Sequence, residues 1–147
     1  MVNECIYQFN LPTVHIDNLV ASFHVTNHLH YKLGHRCISC ILGIESHLFY
    51  QNRLQGHIQA LHRSAIPLQN NYFIQFDFGY IAGVQSFKKL MALPKPLTAI
   101  FCHNDLLAVG AYLSGKKQGI EVQNDISIMG CADLKLSEYI NPMLITV

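Results

Sequence analysis

Charge is scarce in this 147-residue chain: 13% of residues are Asp, Glu, Lys or Arg, and the formal net charge is +1. A surface that recognises nucleic acid through phosphates needs a basic excess, and the chain has none. Low charge alongside 50% hydrophobic residues also excludes a disordered chain, which keeps its apolar content low and its charge high. Long apolar runs are missing as well. No stretch approaches the roughly 18 residues that span a bilayer, and MVNECIYQFNLP lacks the basic flank and apolar stretch of an export signal. Cytoplasmic residence without membrane insertion is the expectation. The five cysteines, Cys5, Cys37, Cys40, Cys102 and Cys131, form an odd set without small-scaffold spacing and sit mostly in apolar runs. They read as reduced, buried thiols rather than a disulfide framework.

What is present is a repeated theme: a short apolar run, polar residues, then a segment with helical spacing. Its period of about 30 residues is that of βαβ units, which predicts an α/β fold with a parallel sheet flanked by helices. The runs are PTVHID (12–17), RCISCILG (36–43), YFIQFDF (72–78), TAIFC (98–102) and DISIMG (125–130), with LITV at 144–147. The first helical stripe is Ala21, Val25, Leu29 and Leu33, closed by Gly34. Leu54, Ile58, Leu61 and Ala65 form the second, stopped by Pro67, and Val84, Phe87, Leu90 and Met91 the third, ended by Pro94 and Pro96. Leu106, Val109 and Leu113 share the fourth face, with Lys116 and Lys117 in the last turn and Gly119 beyond it.

In a parallel sheet with right-handed crossovers, every strand's carboxyl end lines one edge, where open α/β sheets bind ligands. Polar residues collect at those handovers: Asp17 and Asn18, Glu45 and Ser46, Asp77 beside Phe78, His103 to Asp105, and Asp133. Taken singly, each is a helix cap. Taken together with the aromatic Phe78, they make a site for a small polar molecule with a flat face.

No GxSxG, Walker A or GxGxxG sequence is present, which argues against an enzyme and leaves no catalytic residue to name. The nine histidines prompt a search for metal ligands. His24 and His28 share a helix face, and Cys37 and Cys40 have zinc-knuckle spacing. Residues three apart in a strand face opposite ways, however, and the histidine pair has no third ligand in view. No metal and no cofactor is expected.

Six ordered blocks, LPTVHIDN, LGHRCISCILG, NRLQGHIQAL, LTAIFCHNDLLAVGA, NDISIMGCAD and NPMLITV, resemble the successive signatures of the LacI/GalR family of transcription regulators. The resemblance runs from about residue 10 to the end. It implies one lobe of a two-lobed, periplasmic-binding-protein-like type I core, and the wording is nearest to nucleoside-responsive members. Residues 1–17 would be the end of an N-terminal lobe with its crossover strand, and 18–147 the C-terminal lobe, with the helix-turn-helix headpiece absent. A stand-alone sugar-binding module of the periplasmic type is the alternative. The resemblance further implies a nucleoside or sugar effector, homodimerisation of the intact form and operator DNA contacted only through a headpiece. Three effector-binding residues match the family pattern: Arg53 reaching ligand polar groups, Phe78 stacking on the effector and Asn104 as a polar contact, with Asp105 kept as the helix cap. One position departs from it. Where the family carries an effector-binding aspartate, this chain has Ala132, and Asp133 would point the other way if the segment were extended.

Overall fold

The computed structural model describes residues 14–76 and 79–147. Four strands, β1 (Ile38–Leu42), β2 (Phe73–Gln75), β3 (Ala99–Cys102) and β4 (Ser127–Met129), form one sheet in the order β2-β1-β3-β4. Every pairing is parallel, with Ile38 opposite Ala99, Cys40 opposite Phe73 and Ala99 opposite Ser127. The strands are short and apolar because they are covered on both faces, so continuous runs replace the alternation of a half-exposed strand.

Four helices cover them: α1 (Asn18–Asn27, continued by a π-helical turn to Lys32), α2 (Leu48–Arg63), α3 (Tyr80–Met91) and α4 (Asp105–Lys117). The pleat sends Ile41, Ile74, Ile100, Cys102 and Ile128 into a core with Phe87, Leu90 and Leu107 of α3 and α4. It sends Ile38, Cys40, Ala99, Phe101 and Met129 into a second core with Val25, Leu29 and Leu61 of α1 and α2. Cys37 packs toward the first core and Cys40 lies in the second, so the two thiols are on opposite faces of the sheet. Among the described residues no helix is long and apolar enough to cross a membrane.

Within each layer the helices cross at glycines. A Cβ on Gly56 of α2 would lie 2.2 Å from the Leu19 carbonyl oxygen of α1. Across the sheet, a Cβ on Gly110 of α4 would lie 2.1 Å from the Tyr80 oxygen of α3, and Gly83 of α3 is equally tight against Leu107. Backbone meets backbone at both crossings, which only glycine permits. Gly34 and Gly119 close their helices as the sequence predicts, at φ +78° and +74°.

The first, second and fourth helical stripes differ from expectation, and on α4 Leu106 and Leu113 are only half-buried. Leu33 and Ala65 are exposed, and the covered face of α2 is Tyr50, Arg53, Gly56, His57, Ala60 and Leu61, while Leu54 and Ile58 are only half-buried. Buried polar residues displaced the apolar stripe by one position. Residues 12 and 13 of the expected first strand lie outside the described residues, and 15–17 belong to no strand of the sheet. At the other end Met129 bridges Ile145 in parallel, and the Gly130 and Ala132 N–H groups donate to the Ile145 and Val147 oxygens at 2.9 and 2.8 Å. The last residues therefore run beside β4 along the edge of the sheet.

Candidate functional site

The four strands end at Leu42, Gln75, Cys102 and Met129, so the residues that follow share one rim, closed by the amino ends of the helices. α1 starts there because the Asp17 carboxylate accepts from Val20 N–H at 3.0 Å, an N-cap bond. α4 starts there through Asn104, whose Oδ1 accepts from Leu107 N–H at 2.9 Å. This corrects the sequence expectation, which gave the cap to Asp105. Asp105 is instead the first helical residue, and its fully buried carboxylate holds the chain beyond β4. Thr146 Oγ1 donates to Oδ1 at 2.6 Å, while Leu134 N–H and Ser137 Oγ donate to Oδ2 at 2.6 and 3.2 Å.

Arg53 reaches the rim from the first turns of α2 and is only 3% exposed. Burying a guanidinium costs several kcal/mol unless its donors are satisfied. Here Nε donates to Asn18 Oδ1 at 2.8 Å, and Nη1 donates to the Cys131 carbonyl oxygen at 3.3 Å and to the carbonyl oxygen of His103. The rings of Phe49 and Tyr50 lie 5.6 and 5.7 Å from Cζ, within cation–π range. Among the described residues no carboxylate pairs with it, and Nη2 donates to no described residue. Two N–H bonds of a positively charged fork thus remain for a ligand acceptor.

Tyr50 joins Arg53 to Asn104. Its ring flanks the guanidinium, and its hydroxyl oxygen accepts from Asn104 Nδ2 at 3.0 Å. Burial pushes the phenol above its ordinary range, with the Asn104 bond and Arg53 acting against that. Asn104 keeps one amide N–H and one oxygen lone pair unspent, and the Tyr50 O–H has no acceptor among the described residues. Tyr50 also stacks on His103 (ring centroids 5.8 Å, planes 14° apart). His103 Nδ1 accepts from Gly43 N–H at 3.2 Å, which leaves the proton on Nε2. Burial, with His57 and Arg53 nearby, lowers its pKa to about 3, so the ring is neutral. A cleft of about 100 Å³ adjoins this group, lined by Leu42, Gly43, Tyr50, Leu54, Gln75 and His103. A larger cleft, about 550 Å³, lies beyond the far end of α4 by Lys116, Gly119 and Asn141, remote from these residues.

Of the three residues singled out by sequence, Arg53 and Asn104 meet through Tyr50, and Phe78 lies outside the described residues. Asn18 and His103 were legible only as handover residues. Tyr50 was missed, although its place three residues before Arg53 on a helix puts the two on one face. The segment after β4 also departs from expectation. Ala132 and Asp133 have φ of 147° and 49°, so the chain here is not extended and strand alternation does not set the direction of Asp133. Both are exposed. His24 and His28 are exposed as well, and among the described residues no three His, Cys, Asp or Glu side chains gather as a metal site would require.

Residues 1–142 match the family described as periplasmic binding proteins and sugar binding domain of the LacI family. The HTH-type transcriptional repressor CytR of Escherichia coli is 43% identical over all 147 residues, which make up 43% of that protein. The probable HTH-type transcriptional repressor ExuR of Bacillus subtilis is 40% identical over 114 residues, 78% of this chain and 34% of that one. The chain thus spans less than half the length of these relatives. A putative LacI transcriptional regulator from Bacillus cereus subsp. cytotoxis superposes with a TM-score of 0.88 at 35% identity, covering 93% of this chain and 48% of that one. A LacI-family regulator from Enterococcus faecium with bound ribose does so with a TM-score of 0.81 at 28% identity, covering 91% and 49%.

Proposed function

The chain belongs to the LacI family of periplasmic-binding and sugar-binding domains, and from that premise we propose that it is the effector-sensing C-terminal lobe of a transcriptional repressor that responds to a nucleoside. The observation that carries the reading is the convergence of Arg53, Tyr50 and Asn104 at one rim, with Nη2 of a buried cation left for a ligand. Hydrogen-bonding groups beside aromatic rings suit a ribose joined to a flat base. The relative with bound ribose supports a pentose-bearing ligand, and CytR is a repressor similar along the whole of this chain.

In this reading residues 18–147 are the lobe, and residues up to 17 lead from the other half of the core. The rim binds the effector without catalysing a reaction, operator DNA is contacted by a headpiece elsewhere in the intact regulator, and the intact regulator is a cytoplasmic homodimer. Phe78 completes the effector site by stacking.

Titration of the chain with cytidine, uridine, adenosine and ribose, followed by amide NMR shifts, tests it. Saturable shifts centred on residues 50–53 and 103–105, reached only at much higher nucleoside concentration in Arg53→Gln, are expected. Absence of saturable shifts at the rim with all four would sink the reading.

A further inference from the structure

The side-chain amide of Asn18 joins the segment before α1 to the rim. Asn18, 7% exposed, spends both ends of its side chain: Nδ2 donates to the Ile16 carbonyl oxygen at 3.1 Å, and Oδ1 accepts from Arg53 Nε at 2.8 Å. The two bonds fix each other's sense, since an amide whose nitrogen faces a carbonyl oxygen must turn its oxygen the other way. The guanidinium is planar and rigid. Asn18 holds its Nε corner, and the His103 and Cys131 carbonyl oxygens hold Nη1. Two corners fixed leave the third with one direction. The helices are locked to the same arrangement, because Ser22 Oγ of α1 donates to the Arg53 carbonyl oxygen and Gly56 abuts Leu19.

We propose that Asn18 is the positioning residue of this site: it aims the Arg53 fork so that Nη2 faces the effector, and recognition depends on Asn18 through Arg53 rather than through a contact of its own. The inference rests on the rim being the effector site. Its physical content is preorganisation. Without the Nε acceptor a buried guanidinium would swing to find another partner, and the ligand would have to reorder it.

The test uses the whole chain and cytidine as the probe, with Asn18→Ala, Asn18→Asp, Arg53→Gln and the Asn18→Ala/Arg53→Gln pair. Asn18→Ala is expected to weaken cytidine binding roughly tenfold, and Asn18→Asp, which keeps the acceptor, to restore most of it. In the Arg53→Gln background Asn18→Ala should change affinity by less than about twofold. Equal losses in both backgrounds would mean a general structural role and overturn the proposal. A second readout needs no ligand. The Arg53 Nε–H resonance should exchange slowly with water in the parent chain and in Asn18→Asp, and rapidly in Asn18→Ala, while α2 backbone amides stay protected. Unaltered Nε–H exchange in Asn18→Ala would overturn the proposal, whereas a parent chain that takes up no nucleoside would instead count against the effector reading.

Discussion

Ala132, where the sequence resemblance implies a carboxylate, sits at φ 147°, a region that side chains rarely adopt. A ligand diol at this rim has no carboxylate acceptor from that position. Ala132→Asp is expected to tighten nucleoside binding by about tenfold to a hundredfold, the effect of roughly 1.5 to 3 kcal/mol for a charged hydrogen bond, measured by calorimetry with cytidine. Two other residues set an acid limit. His57 is fully buried with Nδ1 paired to Thr26 Oγ1 at 2.7 Å, and burial lowers its pKa from 6.5 to about 3, as it does for His103. Both pKa values fall on folding, so the unfolded chain binds the extra protons. The stability they permit is whole above pH 6.5 and is lost as pH falls toward 3, about 2 kcal/mol from each by pH 5. Urea unfolding at pH 7.5 and 5.0 should show that loss, and His57→Gln should roughly halve the difference between the two pH values whatever it does to stability itself. At this scale the sequence was only partly legible. Asn104 and Asp105 are both good caps, and which one takes the first helical φ is decided by the Leu134, Ser137 and Thr146 donors that draw Asp105 inward. Residues that far along the chain leave no local trace.

The helices and strands were easier to read. A strand buried on both faces is an unbroken apolar run, so β1 and β3 announced themselves in RCISCILG and TAIFC. The stripe on α2 was misplaced because pattern reading counts apolar residues, and this face is covered while carrying Arg53, Gly56 and His57. The crossings were invisible for a related reason: a glycine chosen for the close approach of another backbone looks the same in sequence as any other helical glycine. Gly110→Ala should cost about 1 to 3 kcal/mol or more in chemical denaturation, because the added methyl would press on the Tyr80 oxygen and force α3 from α4. The pleat makes a prediction for the thiols too. Burial raises the pKa values of the Cys40, Cys102 and Cys131 thiols; Cys37, just before β1, is only half-buried. Maleimide under native conditions should modify Cys37 well before those three, as peptide mass mapping would show.

At the scale of the whole molecule, several large apolar side chains are exposed along its edges. Val14 is 73% exposed, Ile16 50% and Val147 46%, and they belong to the two segments that meet the lobe near the rim. Leu136, Tyr139 and Met143 are uncovered as well. Exposed apolar surface of this kind favours association. Sedimentation velocity on the isolated chain should therefore show association that grows with concentration, and a monodisperse monomer across the micromolar range would contradict that. The Asp105 carboxylate has a consequence for how far such a molecule can be shortened. All three groups that donate to it lie beyond β4, one of them on Thr146, the second residue from the end. An exopeptidase that nibbled away residues 146 and 147 would remove about half a helical turn's worth of chain, yet it would strip that anion of a partner and open its burial site to water, so tolerance to trimming should end abruptly there rather than fade.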